Sequence, residues 1–192
     1  MEVIMLNDLK IILASKSPRR QELLKLMGLN FSIQLKEVDE SYPDGLNPAE
    51  IAVYISEKKA KAFKSVTDEI VITADTIVAL NGEILGKPSD RTNAQEMLAK
   101  LSGNKHEVYT GVTIAKGKSM ISFFDQTEVY FRAVTAKEID FYIDNFQPYD
   151  KAGSYGVQDW WGLTVVERIE GSYTNVMGLP TEKLYKALMR FI

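Results

Sequence analysis

The residues with the most chemistry in them are Ser15-Lys16-Ser17-Pro18-Arg19-Arg20, where a short apolar run, Ile11 to Ala14, gives way to a helical pattern. First-turn N–H groups, hydroxyls and guanidinium forks are what hold an oligophosphate: amides and dipole attract the anion, and arginine binds it bidentately. Two cations in a first turn oppose the helix dipole and ask for a compensating anion. A Ser-Pro N-cap with solvated arginines fits the same residues, and taken alone the segment leaves both readings open.

Lys59 and Asp75 are the next two signals. The helix opened by Asn47-Pro48-Ala49-Glu50 carries an apolar arc of Ile51, Ala52, Ile55, Ala62 and Phe63, and at about 100° per residue Lys59 falls inside it. Such a lysine either snorkels out along its stem or points at an anion in a cleft; for an isolated lysine, snorkelling is the usual fate. Asp75 closes the apolar run Ile70-Val71-Ile72-Thr73-Ala74, where an unpaired charge is costly. Carboxyl ends of strands in open α/β sheets border ligand crevices, which suits a magnesium ligand or general base; an N-cap or turn aspartate is the alternative. Glu40 is a loop acid whose ordinary place is solvent, and Lys87, in Gly86-Lys87-Pro88, follows a hairpin signal. His106 is the single histidine and there is no cysteine, so an imidazole cluster, a thiolate site and a cysteine nucleophile are all excluded. The glycines fit neither GxxxxGK[ST] nor GxGxxG spacing.

Positioning these groups requires elements that alternate between strand and helix. Ile11–Ala14 predicts a strand, and Leu23, Leu24 and Met27 a helix closed by Gly28. Phe31–Leu35 reads as a half-buried strand, and a capping box at Asn47 and Glu50 opens a helix to about Phe63. Ile70–Ala74 reads as a strand, and Asn81-Gly82 joins a hairpin of Thr76–Leu80 and Glu83–Leu85. Asp90–Leu101 is a helix, Glu107–Ala133 two long strands about Lys116-Gly117-Lys118, and Thr135 with Glu138 caps a helix that stops before Pro148. A glycine-rich loop, Ala152–Gly162, precedes a strand at Leu163–Ile169, an irregular turn at Gly171–Gly178 and a last helix ending near Phe191. The alternation predicts an α/β fold with a mixed twisted sheet flanked by helices and a cleft, in one domain over residues 1–192.

Composition narrows the function further. With 192 residues and 45% apolar content the chain can build a continuous core, and a formal charge of −3 provides no basic field for a nucleic-acid duplex. Met1 to Lys10 does not read as a secretory signal, and no stretch approaches the roughly 20 apolar residues of a membrane span. A cytoplasmic protein acting on a small anionic ligand, without nucleic-acid or membrane partners, is expected.

Six ordered blocks resemble the Maf family of nucleotide pyrophosphatases: Ala14–Leu24, Ala74–Val78, Gly86-Lys87-Pro88, Ser102–Val112, Asp150–Gln158 and Gly171–Pro180. The resemblance implies an ITPase-like fold with two lobes around a deep cleft, a homodimer, and hydrolysis of a nucleoside triphosphate between its α and β phosphates. It implies Asp75 as catalytic acid and Ser15, Arg19, Glu40, Lys59 and Lys87 as polar cleft residues. Ala74-Asp75-Thr76 is similar to the dTTP/UTP type, with Arg19, Thr76 and Gln158 at the specificity positions. In the mechanism this implies, Asp75 and Glu40 hold Mg²⁺ or Mn²⁺, Arg19, Arg20, Lys59 and Lys87 neutralise the triphosphate, and Ser15 and Ser17 orient it. The chain departs from the pattern where Gln158 is followed by Asp159-Trp160-Trp161 rather than glycine, which implies a reshaped base-facing loop. A pyrophosphatase with another base preference and a nucleotide-binding regulator of cell division without turnover are the competing readings.

Overall fold

The spine is an eleven-residue strand, β3 (Ile70–Leu80), whose two edges are treated differently. In the computed structural model, which describes residues 9–191, one edge of β3 pairs antiparallel with β5 (Lys105–Lys116) from Val71 to Ala79. The other edge pairs parallel with β1 (Ile11–Leu13) up to Leu13–Ile72, and antiparallel with β4 (Glu83–Leu85) from Val78 onward. Residues 73–77 therefore lie on a stretch of that edge with no strand partner among the described residues. Outside β1 lies β2 (Phe31–Ile33); beyond β5 come β6 (Ser119–Phe131) and β7 (Val166–Glu170), antiparallel, giving one seven-stranded mixed sheet.

Helices cover both faces. Between β1 and β2 runs α1 (Pro18–Leu26), capped by Ser17 and burying Leu23 and Leu24. On the opposite face α2 (Pro48–Lys61), with the full capping box of Asn47 and Glu50, buries Ile51, Ala52, Ile55, Ser56 and Ala60 against β3 and β5. The main core lies on the α1 side, where α3 (Arg91–Leu101), α4 (Ala136–Phe146) and α7 (Thr181–Leu188) add Leu98, Leu101, Ile143, Leu184 and Leu188. Each fully buried aliphatic side chain contributes about 1.5–3 kcal/mol, so these faces, not helix propensity, hold the helices in place. No helix among the described residues is long and apolar enough to cross a membrane. The reading of Met1 to Lys10 lies almost wholly outside the described residues.

Four expectations are corrected. Asp75 does not end a strand: β3 continues through it, because Asp75 stays opposite Gly111 in the ladder and its charge is met from α2. The segment from Leu163 begins as α5 (Trp160–Thr164), since Asp159 caps it through the Trp161 N–H and the turn sends Trp161 into the core; β7 starts only at Val166. Gly171–Gly178 holds a short helix, α6 (Tyr173–Met177), capped by Ser172 and ended by Gly178 at φ 109°. The Phe31–Leu35 strand shortens to three residues, with Ser32 and Ile33 exposed at the sheet edge.

One close approach fixes where α2 sits. A Cβ on Gly111 would lie 2.3 Å from the backbone carbonyl of Ala52, so β5 and α2 touch main chain to main chain. Gly111→Ala should cost about 1–3 kcal/mol or more through overpacking, read as a lower denaturant midpoint at unchanged m-value.

Candidate active site

The open edge of β3 is the floor of a cleft of about 990 Å³. Strand alternation divides the floor. Thr73, Asp75 and Ile77 face α2, whereas Ala74, Thr76 and Val78 face α1 and the main core. Every residue singled out in the sequence lines this one cleft: Ser15, Ser17, Arg19, Arg20, Glu40, Lys59, Asp75, Thr76, Lys87 and Gln158.

On the α2 face the Lys59 ammonium lies 2.7 Å from Asp75 Oδ1 and 2.9 Å from Glu40 Oε1. Snorkelling is thereby ruled out: Lys59 and Asp75 are only 17% and 15% exposed, and each is the other's counter-ion. Burial pushes the Glu40 carboxyl up, but the hydrogen bond and charge of Lys59, with Lys87 and Arg20 nearby, outweigh it and leave it below its ordinary value. Glu40 is thus a half-exposed loop acid that lines the cleft and is ion-paired to Lys59. Two carboxylates on one cationic centre suit a hard divalent ion that takes its remaining ligands from phosphate and water. Since no group of three or more His, Cys, Asp or Glu gathers among the described residues, such an ion would depend on phosphate oxygens as well.

On the other face the two arginines diverge rather than converge. Arg20 turns inward. Its Nε donates to Gly178 O at 2.8 Å, Nη1 to Ala74 O at 2.9 Å and Ser15 Oγ at 3.3 Å, and Nη2 to Thr76 Oγ1 at 3.0 Å. Burial pushes the guanidinium below its ordinary value, with the charge of Asp75 opposing. Four of its five N–H donors are taken by the protein, so Arg20 shapes the site and keeps no pair of donors for bidentate hydrogen bonds to phosphate. Arg19 points along the cleft mouth, with Nη1 3.4 Å from Asp150 Oδ2, and Lys151 Nζ lies 2.8 Å from Asp150 Oδ1. Asp150 and Lys151 line the cleft too, and nothing in their own sequence context had marked them as site residues.

The hydroxyls have defined roles. Ser15 Oγ accepts from Ser17 N–H and from Arg20 Nη1, so its proton remains for a ligand in the cleft. Ser17 caps α1 through the Arg20 N–H. Gln158 Oε1 is buried with no hydrogen-bond partner among the described residues. None of Asp159, Trp160 and Trp161 lines the cleft. Asp159 accepts from Tyr142 O–H at 3.0 Å and from Trp161 N–H, Tyr142 accepts from Gly156 N–H, and Trp161 is fully buried. The departure from glycine after Gln158 therefore braces the loop from behind.

A mixed α/β sheet with a cleft, lined by several cationic side chains, where a parallel strand leaves its neighbour has the layout of the ligand-binding α/β class of proteins. The chain matches the Maf-like protein family over residues 10–191 and belongs to that family. It is 50% identical over 186 residues to a dTTP/UTP pyrophosphatase of Bacteroides fragilis, covering 95% of this chain and 96% of the relative. A dTTP/UTP pyrophosphatase of Cytophaga hutchinsonii is 47% identical over 184 residues, covering 95% and 84%. Among solved structures, the Staphylococcus aureus Ham1 protein aligns at TM-score 0.43 and 21% identity, over 64% of this chain and 71% of that one.

Arg20→Lys keeps the charge but loses the fork, leaving carbonyls of Ala74 and Gly178 without donors. It should cost about 2–4 kcal/mol, measured by thermal and denaturant unfolding.

Proposed function

We propose that this chain hydrolyses dTTP and UTP between the α and β phosphates, releasing the monophosphate and pyrophosphate. The observation that carries the reading is the pairing, in one cleft, of a Lys59-bridged Asp75 and Glu40 with an anion seat made by Ser15, Arg19 and Lys87. The names of the relatives in the family supply the pyrimidine nucleotides. Ser15 donates its proton to a phosphate oxygen, while Arg19, Lys59 and Lys87 neutralise the chain of charges, so catalysis is mainly positioning and electrostatics. Asp75 orients the attacking water and takes its proton as Lys59 moves its charge toward phosphate. A bound Mg²⁺ or Mn²⁺, held by Asp75 with Glu40, would offset charge on the phosphate oxygens. Thr76, Gln158 and Arg19 contact the base end of the nucleotide. One domain spanning residues 1–192, paired as a homodimer in the cytoplasm, completes the reading.

Purified protein with Mg²⁺ or Mn²⁺ should release pyrophosphate from dTTP and UTP faster than from other common triphosphates. In Asp75→Asn, turnover should fall by about 10²–10⁴-fold while calorimetry still detects nucleotide binding. Full activity in that variant, or no pyrophosphate from the unaltered protein, refutes the reading.

A further inference from the structure

A chain of four hydrogen-bonding groups crosses the sheet behind Thr76. Arg20 Nη2 donates to Thr76 Oγ1 at 3.0 Å, Thr76 Oγ1 lies 3.0 Å from Thr110 Oγ1, and Thr110 Oγ1 donates to the carbonyl of Asn175 at 3.0 Å. Thr110 is the cross-strand partner of Thr76 in the β3–β5 ladder and is fully buried. The ends of this chain fix its direction. A guanidinium can only donate and a carbonyl can only accept, and each hydroxyl has a single proton. Thr110 spends its proton on Asn175, so the proton between the two threonines belongs to Thr76. Thr76 therefore has no proton left for the cleft and presents only its remaining lone pair.

Both ends are held rigidly. Arg20 is pinned by its other bonds to Gly178 O and Ala74 O. Asn175 is fully buried, and its amide donates to Val108 O at 3.0 Å and Thr127 Oγ1 at 2.9 Å, so its carbonyl cannot swing away from Thr110. Also on the cleft lining, Gln158 Oε1 is a second buried acceptor with no donor among the described residues. Thr76 thus offers an acceptor to whatever base enters the cleft.

We infer that Thr110, which does not line the cleft, is a specificity-determining positioning residue: by taking the Thr76 proton it makes Thr76 an obligate acceptor that selects a base with a ring N–H. Uracil and thymine carry a donor at N3, whereas cytosine carries a lone pair there, which would face the lone pair of Thr76. A buried acceptor set against an acceptor loses its hydrogen bond and keeps the desolvation cost. The inference rests on the proposed pyrimidine nucleotide and adds the physical cause of discrimination within that class.

The test compares UTP with CTP in the unaltered protein, Thr110→Val and Thr110→Ser, first by calorimetric affinity without divalent metal and then by kcat/KM with Mg²⁺. Valine keeps the shape of threonine and removes the hydroxyl, and Asn175 O retains its bond from Gly178 N–H, so the turn keeps one of its two ties. With its proton released, Thr76 can donate to cytosine N3. The UTP-to-CTP affinity ratio should fall about tenfold in Thr110→Val, mainly by gain of CTP binding, and return in Thr110→Ser. An unchanged ratio in folded Thr110→Val overturns the inference, as does a loss of equal size for both nucleotides, or equal affinity for both in the unaltered protein. Because the affinities are read without turnover, absent hydrolysis would sink the pyrophosphatase reading without deciding this one.

Discussion

The site depends on how β3 manages an unpaired edge. Along the edge of β3 away from β5, no strand among the described residues pairs with it between Ile72 and Val78, and a buried carbonyl left without a donor costs about 1–3 kcal/mol. Arg20 supplies the donor to Ala74 O, and the same guanidinium binds Ser15, Thr76 and Gly178 O. One side chain thus ties the α1 turn, the middle of β3 and the end of α6 into a single wall. A gap in a sheet is normally a liability; here it becomes the floor of a cleft because a planar five-donor group fills the part that must not meet water.

The pleat of that strand then separates two chemistries. Asp75 and Thr76 are adjacent in sequence, yet Asp75 meets Lys59 on the α2 face and Thr76 meets Arg20 and Thr110 on the other. The ion-paired carboxylate and the hydrogen-bonded hydroxyl are one residue apart and on opposite faces of the strand. Lys59 reaches Asp75 because Gly111 lets the α2 backbone press onto β5, so the absence of a side chain on one strand sets the position of a charge on a neighbouring helix.

Farther from the floor, the segment from Asp150 to Trp161 is held by a relay from Gly156 N–H to Tyr142 and from Tyr142 O–H to Asp159. Burial raises the Asp159 carboxyl above its ordinary value, against the pull of its hydrogen bonds from Tyr142 O–H and Trp161 N–H and of the charges of Lys151 and Arg19. A cost of that kind is sustained where the loop it braces must keep one shape, and this loop presents Gln158 to the cleft.

Much of the outline could be read from local pattern alone. Caps at Ser17, Asn47 and Thr135, the Asn81-Gly82 hairpin and apolar periodicity are short-range signals, and the corresponding elements stand where they predict. The residue types of the cleft were legible for the same reason: a lysine inside an apolar arc and an aspartate within an apolar strand each need a partner, whichever partner that is. Which partner could not be read, because Lys59 and Asp75 are joined only when α2 folds onto β3, and Arg20 and Arg19 look alike in sequence until the open edge of β3 claims one of them. Thr110, Asp150 and Lys151 fall within blocks that resemble the family, yet nothing marks them individually as site residues, since a lone hydroxyl or a charge in a polar loop has no local cost that betrays its use. Local sequence determines what each segment can form and which groups must be satisfied; the tertiary fold decides who satisfies them, because hydrogen bonds and ion pairs depend on distances that only packing sets.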